Sequence, residues 1–226
     1  VRATPEEEAL LTGGLPVYSI VGGTAGSAAL SGSVLSQAEA SGDFTLTGSS
    51  FASFPVTYAI NPSNSGLSEA DTIGALQGGF DRWVDDPGSD IEFNYAGTTG
   101  ASPSNYSDGS NTVGWIDTPN AADGFLAQAV WVTSRGSTLG FDIRFNRDYQ
   151  WSWGAQPGRF DVETVNLHEA GHILGLGHTT ASTAEVMYPS VSSNTVKGLG
   201  AGDLSGVAAL YPAANPTPES TPEPTP

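Results

Sequence analysis

The stretch HEAGHILGLGH, residues 168–178, holds all three histidines of a 226-residue chain, and it restricts what can be built around it. On an α-helix, positions four apart sit about 40° apart around the axis and about 6 Å along it. His168 and His172 therefore share a face and can reach one metal ion. Glu169 flanks that face, poorly placed as a third ligand but well placed to reach a water on the ion. A continuous helix would carry His178 about 9 Å past His172 and point it away. A zinc–nitrogen bond spans only about 2.0–2.1 Å. His178 joins the other two only where the helix stops and the chain turns back. Gly175 stands where that turn is needed, because glycine takes a positive φ without steric cost, and Gly177 adds further freedom.

Three neutral imidazoles leave one position of a tetrahedral Zn²⁺ open, the pattern of a catalytic rather than a closed structural site. Water in that position would be acidified to a pKa of about 7. Glu169 would take its proton and later deliver it to the leaving amine. The expected chemistry is metal-assisted amide hydrolysis. The chain has no cysteine, which excludes disulfides and any cysteine-ligated zinc.

The charge balance narrows the partners. Seven Lys and Arg stand against 24 Asp and Glu, a formal net charge of −17, so nucleic-acid phosphates would be repelled rather than neutralised. Acidity suits hard cations such as Ca²⁺. Asp108, Asp117, Asp123, Asp142 and Asp148 are the candidates, but they lack EF-hand spacing, and exposure on loops is the commoner explanation for them. A run of about 18 apolar residues is missing, so no membrane-spanning helix is expected. The N-terminal VRATPEEEALLTGG lacks a basic region followed by an apolar one, and an export signal is expected to have been removed or never included.

Residues 1–42 are rich in Gly, Ala and Ser and read as a mobile arm, a prosegment remnant or an added strand. Residues 213–226, ending in NPTPESTPEPTP, read as an extended Pro/Thr-rich linker or tail. The domain proper is expected over 43–212. Within it, 54–60, 91–95, 112–116, 125–132 and 138–145 read as strands. Ser68 and Asp71 form a capping pattern before a helix whose apolar face is Ile73, Leu76, Phe80, Trp83 and Val84. A second helix starts after Asp161 as N-cap, and a short one spans 202–210. The order gives an α/β (α+β) fold: a twisted mixed sheet with an antiparallel edge strand, packed on two long helices, plus a short C-terminal helix.

HExxHxxGxxH followed by a methionine turn is the metzincin signature, and Met187 in VMYPS is the only methionine of the chain. The MYP form resembles the matrixin branch of the metzincin zinc peptidases. FPVTYAINPSN, ALQGGFDRWVD, GFLAQAVWV, FDIRFNRDYQW and LGAGDLSGVAALYP resemble successive matrixin elements in the correct order, and DGSNTVGWID is closer to bacterial forms than to animal ones. The resemblance covers 43–212. It implies a metzincin catalytic domain with His168, His172 and His178 on zinc, Glu169 as acid and base, and Met187 under the metal. It also implies an extended substrate along 125–132, touching Leu126 and Ala127, with Tyr188 and Pro189 walling the primed side, and Asp203 in a structural role. Gln128 and Arg144 stand where animal matrixins carry histidines for a second zinc, so one zinc is expected. A cysteine switch is excluded.

The resulting expectation is a secreted, monomeric, bacterial zinc endopeptidase acting on protein or peptide substrates, with surface tethering through a region beyond the tail as a variant. Two alternatives stay open. One is a zinc hydrolase with a narrow or non-protein substrate. The other is a non-catalytic surface or binding module that keeps zinc for stability.

Overall fold

The computed structural model describes residues 17–23, 40–41, 43–104, 108–117 and 125–213. The expected tail beyond 213 and the candidate Asp123 lie outside the described residues. Twelve strands are described: β1 (Val17–Gly23), β2 (Ala40–Ser41), β3 (Phe44–Leu46), β4 (Val56–Asn61), β5 (Phe93–Thr98), β6 (Thr112–Ile116), β7 (Phe125–Ser134), β8 (Ser137–Asn146), β9 (Trp151–Ser152), β10 (Phe160–Asp161), β11 (Leu176–Gly177) and β12 (Ser190–Ser192). Three helices accompany them: α1 (Glu69–Val84), α2 (Val162–Leu174) and α3 (Ala201–Leu210).

The main sheet runs β12-β1-β7-β8-β6-β4-β5. Strands β5, β4, β6 and β8 are mutually parallel, and β7 returns antiparallel to β8. This is the mixed sheet expected from the sequence. Within 43–212, β7 forms its antiparallel border. In the whole chain that border is covered, because β1 pairs antiparallel with β7 and parallel with β12.

Helices α1 and α2 pack on each other and on the sheet. Leu76, Phe80 and Trp83 of α1 are fully buried, and Ile73 and Val84 only partly so. Burial of each large apolar side chain contributes roughly 1.5–3 kcal/mol. Polar groups at the contact are paired: Trp83 Nε1 donates to Leu167 O at 2.9 Å, and Asn166 Nδ2 to Leu76 O at 2.7 Å. Arg82 and Glu163 close the rim of the helix pair with an ion pair of 2.6 Å.

The helix ends follow local chemistry. Ser68 caps α1, its Oγ accepting from Asp71 N at 3.1 Å. Asp161 caps α2, its Oδ2 accepting from Thr164 N at 2.8 Å. Strand β4 starts at Val56 rather than Phe54, because Pro55 has no N–H to donate, and the first ladder bond is Val56 N to Glu92 O at 2.8 Å. The third helix is tied to the second through Tyr211, whose hydroxyl donates to Leu174 O at 2.6 Å and accepts from Phe51 N at 2.9 Å.

Candidate active site

Helix α2 ends where the spacing of the histidines requires it. Gly175 adopts φ 110°, and its N–H donates to His172 O at 3.0 Å. A Cβ at this position would collide with Ser49 O as well as straining the backbone. Past the turn, β11 pairs with β3, and the chain delivers His178 to the other two imidazoles. The Nε2 atoms lie 3.0 Å apart for His168–His172, 3.1 Å for His172–His178 and 3.2 Å for His168–His178.

The outer ring nitrogens fix the tautomers of the two helical histidines. His168 Nδ1 donates to Val186 O at 2.7 Å, and His172 Nδ1 to Leu176 O at 2.8 Å. A carbonyl can only accept, so both Nδ1 atoms carry the proton and both Nε2 atoms present a lone pair. Burial, with a smaller contribution from the neighbouring histidines, pushes His168 and His172 well below the ordinary imidazole pKa. Burial also lowers His178 to about 4. Lone pairs facing one another this closely, on groups that resist protonation, suit a cation. Tetrahedral bonds of about 2.05 Å would separate ligand nitrogens by about 3.3 Å, close to the spacing here. The donor set therefore fits zinc without rearrangement, and among the described residues it is the one cluster able to hold a metal ion.

Glu169 is fully buried beside His168 on α2. Met187 is 2% exposed and packs against α2 at Gly171. The turn bearing it hangs from Asp203 in α3: Val186 N and Met187 N donate to Oδ2 and Oδ1 of this side chain at 2.7 and 3.1 Å. Gly200 N donates to the same Oδ2 at 2.8 Å. A second buried carboxylate, Glu185, accepts from Asp203 N at 3.0 Å, and Lys197 Nζ donates to Glu185 O at 3.0 Å. Desolvation and the nearby Glu185 charge raise Asp203 to about 6, against the lowering effect of its three backbone donors. Asp203 thus holds the turn whose Val186 carbonyl orients His168.

Leu126 and Ala127 are buried in β7. Pro189 is buried, while Tyr188 is partly exposed with Lys197 Nζ 5.4 Å from its ring centre. Gln128 and Arg144 are cross-strand partners on β7 and β8, joined by a bond from Arg144 Nε to Gln128 Oε1 at 3.0 Å. Of the calcium candidates, Asp142 is buried and accepts from Thr112 N at 2.9 Å, serving the β6–β8 ladder. Asp108, Asp117 and Asp148 are exposed, and Asp117 pairs with Arg147. Sequence reasoning did not reach the carbonyls of Val186 and Leu176 or the role of Glu185. A carbonyl carries no residue signature, and Glu185 is one of many carboxylates.

The profile of the Matrixin family matches residues 50–212. The chain belongs to the matrixin family. Matrixins are, as a family, zinc-dependent metallopeptidases. This matrixin is 47% identical over 53 residues to Metalloendoproteinase 1 of Glycine max, covering 23% of this chain and 17% of that protein. It is 37% identical over 83 residues to the Interstitial collagenase of Bos taurus, covering 36% and 17% of the two chains. Against Karilysin of Tannerella forsythia the identity is 27% over 147 residues, 65% of this chain and 30% of that one. The aligned stretches thus make up less than a third of those relatives' length.

Proposed function

We propose that this matrixin is a secreted zinc endopeptidase. His168, His172 and His178 would hold one zinc through Nε2. When bound, zinc supplies the Lewis acidity that polarises a peptide carbonyl and acidifies a water. Glu169 takes the proton of the attacking water and returns it to the leaving amine. Its burial favours both steps, since a carboxylate withdrawn from bulk water exchanges its proton with the reaction rather than with solvent. Met187 forms the floor beneath the histidines. An extended substrate lies along β7, with main-chain bonds at Leu126 and Ala127 and the segment Tyr188–Pro189 as a side wall.

The observation that carries this reading is the convergence of three Nε2 lone pairs within 3.0–3.2 Å, two of them fixed by carbonyls, with a buried glutamate next in sequence to the first. The test is cleavage of unfolded casein by zinc-loaded protein, with and without a chelator, beside Glu169→Ala. Expected are chelator-sensitive cleavage and a loss of about 10²–10⁴-fold in the variant, with its zinc retained. Zinc-loaded protein that cleaves nothing overturns the peptidase reading in favour of a zinc-stabilised module.

A further inference from the structure

A cavity of about 490 Å³ opens at the carboxyl ends of the parallel strands β4, β6 and β8. The register lays Asn61, Gly114, Arg144 and Gln128 in one row across β4, β6, β8 and β7. Directly opposed residues share a face of the sheet, and neighbours along a strand alternate. Trp115, Ile143 and Phe145 alternate with this row and are buried in the core, so the row faces away from it. Gly114 is the one member without a side chain. It leaves a gap between Asn61 and Arg144, both of which line the cavity, and a Cβ there would lie 2.8 Å from Asn61 O. The topology marks the same place. From β4 the chain runs through α1 to β5 on one side, and from β6 it runs to β7 and β8 on the other. The carboxyl ends of β4 and β6 thus flank a topological switch point, where open sheets of parallel strands take their ligands.

The charge of the cavity runs against that of the chain. Arg144 and Arg147 line it, two of only seven Lys and Arg in a chain of net charge −17. Among the described residues the one carboxylate in its wall is Asp117. Gln128 Oε1 accepts from Arg144 Nε at 3.0 Å, Asp117 pairs with Arg147, and Arg147 N donates to Ile116 O at 3.3 Å. Both guanidinium groups are therefore held at the wall. On the β4 side, Asn61 Nδ2 donates to Ala101 O at 2.7 Å and fixes the segment that brings Ser102 and Ser104 to the cavity. We propose that this cavity binds a sugar acid, either free or as a residue of an acidic polysaccharide. A guanidinium matches a carboxylate with two parallel N–H···O bonds. The Asn64 amide and the serine hydroxyls both donate and accept, as ring hydroxyls require. The volume suits a small organic molecule rather than a bare ion. The lining includes neither the three histidines nor Glu169, Leu126 or Ala127, so the site is independent of the peptidase reading.

The test titrates the full chain with galacturonate, its linear tetramer, galactose and inorganic phosphate, following the backbone amides of Asn64, Gly114 and Arg147 by NMR. The same titrations are run on Arg144→Gln and Arg147→Gln. Arg147 is exposed, and its variant serves if Arg144→Gln is not recovered folded. Arg82→Gln, in the helix pair, is the control that should leave binding unchanged. The expected result is a saturable shift of these amides by galacturonate, with a Kd raised by about tenfold or more in each cavity variant, and no shift by galactose. Equal Kd for monomer and tetramer assigns the free acid as ligand, and a lower Kd for the tetramer assigns the polysaccharide. Galactose or phosphate binding as tightly as galacturonate overturns the sugar-acid assignment. Binding that both cavity variants leave unchanged, or no shift with either acid, overturns the site.

Discussion

At the scale of single residues, the site is defined by three imidazoles that stay neutral. His178 is lowered to about 4 by burial, and His168 and His172 also lie well below the ordinary 6.5. For a basic group with a depressed folded pKa, the unfolded chain binds more protons than the native one between the two values. Stability of the metal-free protein is therefore fully present above pH 6.5 and is lost as pH falls toward 4. Urea unfolding of metal-free protein beside His178→Asn should show this as a parent-minus-variant stability that shrinks across that window. A difference independent of pH would contradict the neutral buried imidazole. Residue-scale chemistry was the most legible part of the sequence. The spacing of His168, His172 and His178, with Gly175 between the last two, demanded a stop and a return, and the three rings do converge. What orients them was not legible, because Val186 and Leu176 act through carbonyls that every residue has.

At the scale of elements, the fit of α2 against the methionine turn carries the site. Gly171 lies between His168 and His172 on that helix, and a Cβ there would collide with Met187 Sδ and meet Trp83 Cζ2 at 3.0 Å. In an open helix Gly→Ala would gain roughly 0.5–1 kcal/mol. Here overpacking should outweigh it, at a cost of about 1–3 kcal/mol. Calorimetry of Gly171→Ala should record a Tm lower by several degrees, with zinc content reduced as Met187 shifts. A raised Tm would mean the turn yields freely and does not brace the ligands. Helices α1 and α2 were legible because caps and 3.6-residue periodicity are local. Strands β9 to β12 were not, since two or three residues are too short to show alternation.

For the whole molecule, the β7–β8 pairing carries the expectation of a single zinc. Gln128 and Arg144 face each other across β7 and β8 and are bonded at 3.0 Å, and a guanidinium cannot act as a metal ligand at any accessible pH. Elemental analysis of purified protein should find one zinc per chain, removed by chelator together with casein cleavage; two would mean ligands other than these. The sequence by itself determined that three histidines would meet, the helix turn at Gly175, the caps of the long helices and membership of the matrixin family, because each rests on spacing within a few residues or on a motif. Only the tertiary structure decided that Asp203 suspends the Met187 turn, that Glu185 lies against it, and that Val17–Gly23 bridges β7 and β12. Those arrangements join segments far apart in the chain through backbone N–H and C=O groups, which are the same in every residue and leave no mark in the order of side chains.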